Sequence, residues 1–98
     1  MPTLNAPKLV SSRDQARELT AELPADLEGT AVVVNCSALR ASTPSFVDEL
    51  VKVCLVERRA KSLVLVNAPG RTAELARRAS RNRNVADRLE IDPPLEIG

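Results

Sequence analysis

Apolar residues gather in two short unbroken runs in this chain. Ala31 to Asn35 is apolar and β-branched without alternation, and Lys61 to Asn67 repeats that pattern, both stopping at an Asn. Continuous runs of this length predict strands buried on both faces. About 25 residues separate them, too many for a hairpin and enough for a crossover helix, so the two strands are expected to be parallel with a right-handed connection.

Inside that connection the period changes. Val47, Leu50, Val51 and Cys54 recur at i, i+3, i+4 and i+7, the apolar stripe of a helix lying on a sheet, which leaves Asp48, Glu49 and Lys52 to face water. Ser42 or Thr43 can act as its N-cap, and Pro44 falls near the first helical position, where a missing N–H costs nothing. Asp48 and Glu49 also stand near the helix start, where the dipole favours negative charge.

Weaker patterns flank this unit. Ser12 to Gln15 has the form of a capping box, and it predicts a helix with Ala16, Leu19, Thr20 and Leu23 on one face, stopped by Pro24. After Asn67, the turn Ala68-Pro69-Gly70 leads into a helix over about 72–80, with Leu75, Ala76 and Ala79 as its apolar side. Residues 85–91 predict a helical turn and then a short strand at 89–91. Lys8 to Val10 is the candidate first strand, with its direction left open. The reading is an α/β fold: a small, mostly parallel or mixed four-stranded sheet with three to four helices. One domain over 8–92 is expected, between a loosely ordered start at 1–7 and a tail at 93–98.

Composition narrows the chemistry. The 98 residues are 44% apolar and 28% charged, a globular balance, and the lone aromatic is Phe46, so the core is aliphatic. His, Trp and Tyr are absent, which removes the usual general base and the commonest metal ligand. No Gly-rich phosphate loop, catalytically spaced carboxylate pair or nucleophile with a base is present. A non-catalytic protein without a cofactor is the expectation. Cys36 and Cys54 lack metal or redox spacing and read as buried thiols. No apolar segment is long enough to span a membrane and the first residues do not resemble a leader, so a cytoplasmic location is expected.

The net charge of +1 hides a mild asymmetry: residues 1–57 carry 5 basic and 8 acidic groups, and residues 58–98 carry 9 basic and 5 acidic. Arg71, Arg77, Arg78, Arg81 and Arg83 crowd the third helix and its exit. Without stacking aromatics, and with so little net charge, that cluster reads as a solvated face or a site for an acidic protein partner, and not for nucleic acid.

The stretch from Asn35 to Val51 resembles the STAS domain pattern of a strand, a hydrophobic turn, and a Ser-bearing helix start. Leu63 to Pro69, the helix after it, and Arg88 to Ile91 are similar to the same family, so the likeness covers most of 31–91. It is closer still to a STAS-like family of uncharacterised function whose helix opens Ser-Phe-x-Asp-Glu-Leu, as Ser45 to Leu50 do here, after a first helix led by Ser-Arg, as at Ser12 and Arg13. The resemblance implies a bacterial regulatory module of the anti-sigma factor antagonist type. Its partner would be a kinase-like anti-sigma factor, and phosphorylation of a Ser at the second helix start, here Ser45, would switch it. Thr43, Pro44 and Phe46 depart from the family's Asp, first Ser and Gly.

The residues point to the same place without the family. Partners of open parallel sheets gather beyond the carboxyl ends of the strands. Asn35, Ser37, Ser42, Thr43, Ser45, Asn67 and Arg71, with Asp48 and Glu49 on the helix, form the candidate partner-binding edge. A phosphate on Ser45 would meet orphan N–H groups there, with Arg71 in reach. Two other readings stand beside this one: Ser45 as a local cap, and the edge as a small-ligand sensor. Oligomeric state stays open.

Overall fold

The computed structural model describes residues 2–93. The chain runs β1 (Thr3–Asn5), α1 (Arg13–Thr20), β2 (Ala31–Asn35), α2 (Pro44–Val51), β3 (Ser62–Val66), α3 (Gly70–Asn82) and β4 (Leu89–Asp92). Of the expected tail only Pro93 is described; the rest lies outside the described residues. The sheet has four strands in the order β1-β2-β3-β4, all parallel.

The first strand differs from expectation. It is Thr3–Asn5, within the lead expected to be loose, and not Lys8–Val10. Val33 N–H donates to the Pro2 carbonyl at 2.9 Å and Ala6 N–H to the Asn35 carbonyl at 3.0 Å, tying β1 to β2. Pro7 has no N–H to continue the ladder. Leu9 makes only an isolated parallel bridge to Ala41 and is 64% exposed.

The helix starts follow from local sequence. Ser12 Oγ accepts from Gln15 N–H at 3.2 Å and Gln15 Oε1 accepts from Ser12 N–H at 3.1 Å, completing the capping box of α1. Past the other end Arg58 Nη1 donates to the carbonyls of Thr20 and Leu23, at 2.8 and 2.7 Å, tying the turn after α1 to the residue that follows the second helix. Thr43 is the N-cap of α2, accepting from Phe46 N–H at 3.3 Å, with Pro44 directly after it. All four stripe residues, Val47, Leu50, Val51 and Cys54, are buried as the spacing predicts.

Beyond Val51 the helix widens to π geometry over Lys52–Glu57. A wider turn rotates less per residue, and it buries Val53, Cys54 and Leu55 in succession. The third helix, longer than expected, buries Leu75, Ala76 and Ala79 and stops where Asn84 takes φ 60°, the left-handed conformation that Asn tolerates at helix ends. A single 3₁₀ turn, Ala86–Arg88, leads into β4, matching the pattern read from 85–91.

With neighbouring strands consecutive in sequence and right-handed crossovers, all three helices fall on one side of the sheet. Burial agrees. Val32, Val34, Leu63 and Leu65 are at most 1% exposed, whereas Ala31, Val33, Asn35, Ser62, Val64 and Val66 are only half-buried. The strands are therefore buried on one face and not on both, because no crossover places a helix beneath them. The register rows Thr3-Val33-Val64-Glu90 and Asn5-Asn35-Val66-Asp92 lie on that open side.

Candidate functional site

The carboxyl ends of the strands carry side chains that mostly bond one another. Asn35 Nδ2 donates to Asn5 Oδ1 at 3.2 Å, and Asn35 Oδ1 accepts from Ser37 N–H at 3.1 Å. Asn67 holds φ 57° at the end of β3 and donates its N–H to the Asp92 carbonyl at 2.9 Å. Beside them, Lys8, Ser37, Ala38, Leu39 and Arg40 line an open cleft of about 670 Å³. All of these but Leu39 are exposed, so the cleft is broad and shallow. The enclosed gap beneath, among Phe46, Leu39, Leu65 and their neighbours, is about 10 Å³ and wholly apolar, which is below the room a small molecule needs.

The loop from β2 to α2 spends its hydroxyls on the fold. Ser42 Oγ lies 2.7 Å from Thr72 Oγ1, pinning the loop to the first turn of α3. Thr43 Oγ1 donates to the Ser11 carbonyl at 2.7 Å while capping α2. Ser45 differs: it is exposed, and its hydroxyl makes no hydrogen bond among the described residues. Capping belongs to Thr43, so that role does not account for Ser45.

Ser45 is the second residue of α2. It lies in a groove of about 240 Å³ between α2 and α3, lined by Arg13, Pro44, Asp48, Leu75, Arg78 and Asn82 among others. Arg71, expected to reach it, is exposed at the start of α3 and does not line this groove; Arg13 and Arg78 do. Helical spacing explains the substitution, since Arg78 lies two turns along α3 from Arg71 on the stretch that packs beside α2.

Asp48 and Glu49 were expected in water. Asp48 is instead half-buried, and Glu49 is 1% exposed. The reason is α1, which packs along the flank of α2. Arg13 Nη1 reaches Asp48 Oδ2 at 2.9 Å and Glu49 Oε1 at 3.1 Å. Arg17 Nη2 lies 2.9 Å from Glu49 Oε2, a charge pairing without the alignment of a hydrogen bond, and Lys52 Nζ is 3.8 Å from Oε1. Arg83, just past α3, donates twice to Asp48, at 2.9 and 2.8 Å. These bonds, chiefly from Arg83 and then Arg13, hold the Asp48 carboxyl down at about 2. Glu49 is therefore not part of an accessible edge. The sequence signal was Arg13 and Arg17, one turn apart, facing an adjacent acidic pair.

Burial pushes the Cys36 thiol up to about 11 and the Cys54 thiol up to about 12, which leaves both unreactive in the folded chain. Among the described residues no group of three or more His, Cys, Asp or Glu gathers to hold a metal ion, and no helix is long and apolar enough to cross a membrane. Comparisons with protein-family models, curated proteins and solved structures found no match.

Proposed function

We propose that this domain is a non-catalytic regulatory module that binds a protein partner across the α2–α3 groove and is switched by phosphorylation of Ser45. The observation that carries this reading is the Ser45 hydroxyl: exposed, at the second position of α2, and spared from capping by Thr43. A hydroxyl there is open to a kinase, and a phosphate on it would sit at the positive end of a helix. Arg13 and Arg78 line the same groove, so the added charge of about −1.5 to −2 would meet cations already in place.

The sign of the effect follows from pairing. Asp48 and Glu49 are neutralised by Arg13, Arg17, Lys52 and Arg83, so the start of α2 is not an acidic surface. In its unmodified form the groove offers Arg78 to an acidic partner, and a phosphate on Ser45 occupies that cation and weakens the complex. The resemblance to STAS domains supports an anti-sigma factor antagonist role, with a kinase-like anti-sigma factor as partner. A small-ligand sensor at the strand ends is the second reading, favoured by the cleft flanked by Lys8 and Arg40. Its shallowness supports a protein surface instead.

The test is partner capture from a native host, followed by affinity and melting measurements on wild type, Ser45→Ala, Ser45→Asp and Arg78→Ala. Ser45→Asp and Arg78→Ala should each weaken binding by about tenfold or more, with Ser45→Ala near wild type and all four chains equally stable. Equal affinities across the set would remove the switch. A large loss of stability in Ser45→Ala would make Ser45 a structural residue.

A further inference from the structure

We infer that the two lateral flanks of the domain are complementary to one another, and that a second copy of this chain docks head to tail, its α1 flank against the α3 flank of the first. The sequential parallel order of the strands, with every helix in one layer, makes the two flanks different surfaces. On the β1 side Asn5, Pro7, Gln15, Glu18 and Leu19 line a groove of about 330 Å³. On the β4 side Arg77, Ser80, Arg81, Ala86, Leu89 and Ile91 line one of about 320 Å³. Each groove has a half-buried aliphatic floor, Leu19 in one and Leu89 with Ile91 in the other.

Their charges are opposite. Asp14, Glu18 and Glu22 stand exposed on α1 or just past it, and Arg77 and Arg81 stand exposed one turn apart on α3. None of the five is in an ion pair among the described residues. Among the described residues the charges of the α1–α2 seam are matched, the unpaired ones on α1 and just past it are acidic, and those on α3 are basic except for Glu74, while Asp87, Glu90 and Asp92 stand exposed and unpaired along the β4 edge. Docked in the same orientation, the second copy sets its α1 beside α3 of the first as α1 already sits beside α2. Its β1 edge then runs parallel to β4, continuing the sheet in its existing direction.

Main-chain pairing across this junction is limited, because β1 has 3 residues and Pro7 and Pro93 lie next to the two edges. Charge therefore sets the affinity. A head-to-tail contact uses different surfaces on the two copies, so it propagates beyond a pair into rings or open chains.

Sedimentation velocity over a concentration series tests this at low salt and at about 1 M salt, where the screening length falls to about 3 Å. Wild type should gain mass with concentration at low salt, past the dimer, and return to monomer at high salt. Arg77→Glu with Arg81→Glu, and separately Glu18→Arg with Glu22→Arg, should each weaken association by about tenfold or more. An equal mixture of the two reversed chains should restore it, because each flank again meets its opposite. All four positions are exposed, and melting curves check that the variants fold. A wild type that stays monomeric at every concentration, or a mixture that fails to reassociate, would overturn the inference. So would a salt-insensitive dimer indifferent to all four substitutions, which would place the interface on the open valine-bearing face of the sheet.

Discussion

Glu49 and Leu50 are neighbours on one helix and almost equally hidden, at 1% and 3% exposed, yet opposite chemistry hides them. Leu50 belongs to the apolar core. Glu49 faces α1 and lies under the side chains of Arg13, Arg17 and Lys52. The sheet side of α2 is held by removal of apolar surface from water, and the α1 side by charges whose cations keep contact with solvent, Arg13 being 51% and Arg17 57% exposed. The first kind of contact tolerates no charge. The second depends on which partner is removed.

The largest break in this comparison is Leu50→Asp, which forces an unpaired carboxylate against the sheet. Destabilisation of about 4 kcal/mol or more is expected. Urea unfolding measures it, and thiol titration reports it independently, since Cys36 and Cys54 react only when the core opens. A variant that melts like wild type with both thiols protected would show that the stripe is misassigned.

Across the charged seam the effect should be asymmetric. Glu49→Gln leaves behind cations that can turn to water, and a cost of about 1 to 2 kcal/mol is expected. Arg13→Gln with Arg17→Gln leaves the carboxylate buried with only Lys52 at 3.8 Å, and the loss of stability should be clearly the larger of the two. Equal losses for the two variants would mean that Glu49 is solvated in solution.

Acid sharpens the same seam at Asp48. Its folded value of about 2 lies below the ordinary 3.8, so its pairing contributes stability that is complete above about pH 4 and is lost as pH falls toward 2. The urea midpoint should decline through that window, and Arg83→Gln should flatten the decline. A midpoint with the same pH dependence in both chains would remove Asp48 from the account.

The smallest effect is expected on the open face of the sheet. Val64→Thr places a hydroxyl where water already reaches and should cost within about 0.5 kcal/mol, whereas Val34→Thr, on the covered face, should cost several times more. Equal costs would indicate that something covers the open face.

Most of the fold was legible because its elements announce themselves locally. The i, i+3, i+4, i+7 stripe, the Thr43-Pro44 start and the Ser12 capping box each depend on residues within two turns of one another. What was hidden depends on neighbours. The all-valine run of β2 does not reveal which face is covered, since Val32 and Val33 are chemically identical and only topology separates them. Glu49 looked like a water-facing residue because the wheel of one helix does not know that another lies along its flank. Thr3–Asn5 has no apolar run, and it is a strand because β2 offers it a ladder. At the candidate site, the place of Ser45 at the start of α2 was legible, but the pairing of Asp48 and the cations beside Ser45 were not. Arg71 is nearer in sequence to the strand end, and packing of α3 on α2 brings Arg78 instead.

The sequential strand order also governs how the chain reaches this structure. Each strand pairs with the one just before it in sequence, so none has to be threaded between two that have already joined. Loop closures are all short, one crossover at a time, and growth from an early β2-α2-β3 unit needs only additions at its two sides. In pulse-labelled refolding, amides of β2 and β3 should gain protection before those of β1 and β4. Protection arising first at the outer strands would mean that assembly starts elsewhere.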